Sequence, residues 1–168
     1  MERTMVEARR ETVARADAPA ARIVCEAIEF ETQEAPEFID ITDDVTGIVD
    51  ASLVQFGQVT IFSQHTTAAI KINENEPLLL RDLARTLRQF APPNAYYEHN
   101  DFSRRTVNMN EDECANGHAH CQHLFLGTSE TIPIVDGRIS LGRWQRIFLV
   151  ELDHPRMRRV LVNVVGAS

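Results

Sequence analysis

Apolar positions along the chain change their period several times, and each change marks an element. Residues 22–31 (RIVCEAIEFE) predict a first strand, with Ile23, Cys25 and Ala27 alternating before Ile28 and Phe30 shift the phase. Residues 38–41 predict a second, short strand behind Pro36. Thr42 can cap a helix, and Asp43 and Asp44 suit its positive N-terminus. Val45, Ile48, Val49 and Leu53 then recur at helical spacing until Gly57 stops the run. Residues 58–63 (QVTIFS) and 68–73 (AAIKIN) are rich in β-branched residues and predict strands. Pro77, at a favoured first helical position, opens a stripe of Leu79, Leu80, Leu83, Leu87 and Phe90 that Pro92-Pro93 ends.

Residues 91–116 are polar and aperiodic, and a loop of that length inside a compact domain is usually functional. Residues 116–127 suit a helix capped by Asn116 and ended by Gly127, because their strand alternation is poor. The late chain predicts strands at 131–135, 138–141, 144–152 and 157–165. Asp136-Gly137 is the hairpin turn between the first two, and Trp144 is expected in the core. Late strands around few helices point to an α+β fold, not a doubly wound one. Residues 1–21 stand apart as an N-terminal extension, frayed or weakly helical, and 22–168 read as one domain.

Composition narrows the function. With 168 residues, 43% of them hydrophobic, the chain can bury a core. A formal charge of -8 argues against nucleic acid, whose phosphates require a basic face. It leaves room for a small phosphorylated metabolite, which needs only a few local cations. Three cysteines, Cys25, Cys114 and Cys121, give no disulfide framework and no zinc-ribbon spacing, so a cytoplasmic setting is expected. No run approaches the length of a membrane span. Neither a glycine-rich phosphate loop nor a GxSxG elbow occurs.

The candidate chemistry lies in the histidines. His65 ends a strand beside Thr66 and Thr67, where it can transfer a proton or contact a ligand, although a histidine tied into a turn looks the same in sequence. His99 lies in the long loop next to Asn100 and Asp101, a base beside an acceptor that could orient it; a solvated turn is the plainer alternative. His118, His120 and His123 form the densest cluster, behind Asn116. On a strand His118 and His120 would share a face, and at a helix start they could still reach one site, where free N–H groups attract anions. The spacing matches no standard zinc motif. Glu151 is either a strand-end charge or a pocket acid, and Arg156, among three late arginines, suits a phosphate clamp or plain surface charge. Cys121 beside His120 is a weak nucleophile candidate.

Five stretches in order resemble the YjbQ family: SQHTTAAIKINENEP (63–77), YEHND (97–101), NGHAHCQHLFLG (116–127), TIPIVDGRISLGRWQ (131–145) and ELDHPRMRRV (151–160). Two departures stand out, His154 where many members have Gly and Gly117 where many have Ala. The resemblance implies an α+β fold with a mixed or antiparallel β-sandwich-like core and two or three helices, assembled as a homotrimer. It also implies a thiamine-phosphate-synthase-like transferase that joins a pyrimidine diphosphate to a thiazole phosphate with a divalent metal, Mg or Zn. On that reading His65, His99, Asp101 and Glu151 are catalytic. Thr66, Thr67, Asn116 and Arg156 bind substrate, and His99, His118 and His120 hold the metal. A non-enzymatic trimer that binds a metal or a phosphorylated metabolite is the alternative, and metal-assisted phosphoester hydrolysis a third reading.

Overall fold

The structure is a computed structural model that describes residues 9–18 and 21–168. Its strands are β1 (Arg9–Ala18), β2 (Ala21–Glu31), β3 (Glu37–Asp40), β4 (Phe56–Ser63), β5 (Ala68–Glu74), β6 (Ser129–Val135), β7 (Arg138–Ile139), β8 (Gln145–Glu151) and β9 (Met157–Ala167). Helices α1 (Thr42–Ser52), α2 (Pro77–Phe90) and α3 (Gly117–Leu126) interrupt them. Among the described residues the strands form two antiparallel sheets. One has six strands in the order β1-β2-β9-β4-β6-β7, and the other has three in the order β3-β8-β5. This is the expected α+β architecture.

The three-stranded sheet is the middle layer. One of its faces gives Ala68, Ile70, Ile147 and Leu149 to a core shared with α1 (Val45, Ile48, Val49) and the large sheet. The other face gives Ala69, Phe148 and Val150 to a second cluster under α2 and α3, through Leu80, Leu87, Ala119 and Leu126. Burial on both faces explains why residues 147–150 are an unbroken apolar run. In β9 the inner face is Val160, Val162 and Val164, and the period of two places Arg158 on that same inner face. A fully buried arginine needs a buried partner. It finds Glu151, whose Oε1 lies 2.5 Å from an Arg158 Nη2 donor.

Several expectations are corrected. Residues 9–18, read as frayed or weakly helical, form a strand paired antiparallel with β2. The frayed or weakly helical extension expected over residues 1–8 and at 19 and 20 lies outside the described residues. In β2 the inward positions are Val24, Ile28 and Phe30, so Ile23 faces outward and the phase of Ile28 and Phe30 is the inward one. Helix α1 ends at Leu53, which adopts the left-handed conformation (φ 59°), before Gly57 is reached. Trp144 is exposed with Arg143 stacked 4.5 Å above its ring, because β8 begins one residue later. The Asp136-Gly137 turn stands as expected, with both residues at positive φ. Among the described residues no helix is long and apolar enough to cross a membrane.

Candidate functional site

Two stretches far apart in sequence meet around Asp153: the long loop running into the start of α3, and the β8–β9 turn. The loop is tied to itself. The Asp101 carbonyl accepts from the backbone N–H groups of Arg104 and Arg105, and Arg105 pairs with Glu113 at 3.0 Å. A 3-10 turn, Glu98–Asn100, then docks on α3, where the Asn100 side-chain oxygen accepts from the Gly117 N–H at 2.9 Å. The approach is close: a Cβ on residue 117 would lie 2.6 Å from Tyr97 Cβ. This docking brings the His99 and His120 rings edge to face, with centroids 4.6 Å apart.

Asp153 is the hub, its side chain 3% exposed. Asn116 donates to its Oδ2 at 3.2 Å, Arg156 donates to the same oxygen at 3.0 Å, and His154 Nδ1 lies 3.1 Å from Oδ1. Glu151 fixes the backbone beneath it. Its Oε1 accepts from the N–H groups of Leu152 and Asp153, while Oε2 accepts from Thr32 and Arg158. The buried Glu151–Arg158 pair therefore holds the turn that aims Asp153.

Two of the site histidines, His118 and His120, are shifted toward the neutral form. Burial pushes His120 below the ordinary histidine range, and the neighbouring His99 and Arg105 push the same way against the pull of Asp153. Burial also lowers His118, opposed by Asp153 and by its contact with the Leu152 carbonyl. A hollow of about 440 Å³ opens at His99, lined also by Glu98, Arg104, Arg105, Val107 and Asn108. The Arg104 carboxylate contacts, to Glu98 and Asp101, are both long at 3.9 Å, so its guanidinium is the looser of the two arginines.

The sequence-predicted residues divide into two groups. His99, Asn116, His118, His120 and Arg156 belong to this constellation. His65 stands by the Glu151–Arg158 pair, where its Nε2 accepts from the Arg159 N–H at 2.8 Å. Burial and then the Arg158 charge lower its pKa, which suits an acceptor nitrogen. Glu151 and Thr67 are spent on Arg158, the latter through its hydroxyl at 3.0 Å. Thr66 is exposed. The Asp101 carboxylate accepts from the Ser103 N–H and hydroxyl and caps its own turn rather than orienting His99. Asp153, Cys114, His154 and Arg105 were passed over. Their only signals were the Asp-His-Pro turn and charge or sulfur within an aperiodic loop.

The divalent cation expected on His99, His118 and His120 does not fit the geometry, although two of the nitrogens stand open. His99 Nε2 and His118 Nδ1 are buried with no hydrogen-bond partner, and the Leu152 carbonyl beside His118 is the kind of neighbour that orients a ligating ring. The three imidazoles do not, however, gather within 4.8 Å. Among the described residues the set that does is Cys114, Asp153 and His154.

The model of the family described as UPF0047 protein YjbQ-like matches residues 26–167. A UPF0047 protein of Methanothermobacter thermautotrophicus is 40% identical over 146 residues, covering 83% of this chain and 94% of its own. The UPF0047 protein YjbQ of Escherichia coli O157:H7 is 32% identical, over 75% of this chain and 86% of its own. Among solved structures, a YbjQ-like protein of unknown function from Sulfolobus solfataricus P2 aligns with TM-score 0.78 at 35% identity, covering 87% of this chain and 99% of its own. These relatives bring no synthase activity with them, so the expected thiamine-phosphate synthase function is overturned. Arg156, expected to clamp substrate phosphate, donates to Asp153 at 3.0 Å.

Proposed function

The chain belongs to the UPF0047 protein YjbQ-like family, and from that premise and the site around Asp153 we propose that it is an enzyme hydrolysing small phosphoesters. One observation carries the reading: a pair of touching imidazoles, His99 and His120, beside a hollow that also presents Arg104 and Arg105. Arginines bind phosphoryl oxygens in pairs, and a neutral imidazole accepts the proton of an attacking water. In this reaction water oxygen bonds to phosphorus, the ester P–O bond breaks, and the water proton goes to His120. The leaving oxygen takes a proton from solvent, which reaches it through the hollow that His99 lines.

Purified protein given a panel of small phosphomonoesters with magnesium, manganese or zinc should release phosphate. His120→Ala should lower kcat by about 10²–10⁴-fold, the usual contribution of a positioned acid or base. Arg104→Ala should act mainly on KM. A wild-type chain that releases no phosphate across the panel overturns the proposal.

We further propose that the protein is cytoplasmic and assembles as a homotrimer. Supporting the first, all three cysteines are free. Supporting self-assembly, α2 and α3 leave Leu78, Phe90, Leu124 and Phe125 exposed, and the Phe90 and Phe125 rings contact each other at 4.2 Å. Light scattering should give three times the 19.0 kDa chain mass; a monomer mass at micromolar concentration contradicts it.

A further inference from the structure

The mouth of the site holds a second donor set that the phosphoester reading does not use. Cys114 Sγ lies 3.6 Å from His154 Nδ1 and 4.0 Å from Asp153 Oδ2. His154 Nδ1 in turn lies 3.1 Å from Asp153 Oδ1. One ligand atom from each of the three residues stands within 4.8 Å of the others. A thiol, an imidazole and a carboxylate form a donor set for zinc and its borderline relatives, whereas magnesium demands oxygen ligands.

Two neighbouring side chains independently point to a missing partner. Asn116 is 7% exposed, and its Oδ1 has no hydrogen-bond partner although its Nδ2 donates to Asp153. His118 is 8% exposed, and its Nδ1 is likewise unpartnered in the field of Asp153. Buried polar atoms are ordinarily satisfied, so two orphans beside one carboxylate call for an explanation.

A cation already stands among the donors. Arg156 Nη2 lies 3.0 Å from Asp153 Oδ2 and 3.9 Å from Cys114 Sγ, and it presses on both ring nitrogens of His154. Its guanidinium therefore stands between the Asp153 carboxylate and the Cys114 sulfur, a place that already accommodates a cation. The Arg156 side chain is 38% exposed on a long stem, so it has solvent to turn into.

We propose that Cys114, Asp153 and His154 form a binding site for a thiophilic divalent cation of the zinc class, and that Arg156 is the counter-charge this cation displaces. On binding, the Cys114 thiol proton leaves to solvent as the sulfur–metal bond forms, with no change of oxidation state. His118 Nδ1 and the Asn116 oxygen are the nearby atoms that can complete the shell. The site stands apart from the phosphoester reading: its readout is metal binding, so either idea can fail alone.

Cobalt(II) is the probe. Metal-free protein titrated with cobalt chloride should bind one equivalent at this site and develop the near-ultraviolet charge-transfer band of a thiolate–cobalt bond. Cys114→Ser should abolish that band, while Cys25→Ser and Cys121→Ser should keep it. His154→Gly should weaken binding by about 10-fold or more. Arg156→Gln should tighten it by about 10-fold, equivalent to about 1.4 kcal/mol, because a competing cation is gone. Circular dichroism checks that each variant folds. Should Cys114→Ser not fold, His154→Gly decides alone, since it alters a half-exposed turn. A band that survives Cys114→Ser, unchanged affinity in His154→Gly, or no band in both the wild type and Arg156→Gln overturns the site.

Discussion

At the scale of single residues, the Glu151–Arg158 pair shows how an inward charge becomes part of a site without touching substrate. Both side chains are at or below 2% exposure, and Glu151 also anchors the N–H groups that set Asp153 in place. Removing one member of such a pair leaves an uncompensated buried charge. Glu151→Gln should therefore cost about 3–5 kcal/mol. Urea unfolding should show the midpoint falling at an unchanged slope, and a loss under about 1 kcal/mol would contradict the assignment. This residue also marks a limit of sequence reading. A glutamate at a strand end looks the same whether it serves as an acid or as a buried anchor. Only the register of β9, which turns Arg158 inward, separates the two. His65 is ambiguous for the same reason, since its backbone donor lies 94 positions away.

At the scale of elements, α2 with its proline start and stripe and the Asp136-Gly137 hairpin stand where their patterns place them. So does the helix over residues 117–126, read from its end residues and poor strand alternation and not from a strong period. What was not legible follows from tertiary context. Residues 91–116 have no period to read, and Arg105, Cys114 and the hollow all lie in or beside them. Asp153 lay in a stretch read only as a strand connection. Its role comes from the docking of the loop and α3 on that turn. The pairing of β4 with β9 offers a sharper case. Gly57 faces Gly166 across the ladder, and a Cβ at residue 57 would stand 2.1 Å from the Val165 carbonyl oxygen. Backbone cannot yield as a side-chain tip can, so Gly57→Ala should destabilise by about 1–3 kcal/mol or more. Thermal unfolding checks this; an unchanged melting temperature would mean the two strands are less closely apposed than described.

At the scale of the whole molecule, the histidines make stability depend on pH with a definite sign. His65, His118, His120 and His123 are all lowered from 6.5, chiefly by burial. Below 6.5 the unfolded chain takes up protons that the folded chain resists, so unfolding is favoured. Stability is thus complete above about pH 7 and falls as pH drops through 6.5 toward the lower folded values. A further loss follows in the carboxylate range, where Glu113, lowered by the Asn110 N–H and Arg105, and Asp40, lowered by Arg146 and Thr42 against burial, take up protons. Melting temperatures measured across this range should fall in that order, and a rise on acidification through 6.5 would contradict the burial of the imidazoles.

The pH dependence of phosphoester turnover tests the proposed use of His120 most directly. An imidazole base lowered by burial and by His99 should keep the wild-type rate constant from neutral pH down past 6.5, with the acid fall beginning only below the ordinary histidine range. His120→Ala should remove that acid limb along with about 10²-fold or more of kcat. A profile that falls already above 6.5, or one that keeps its shape in His120→Ala, would contradict the account.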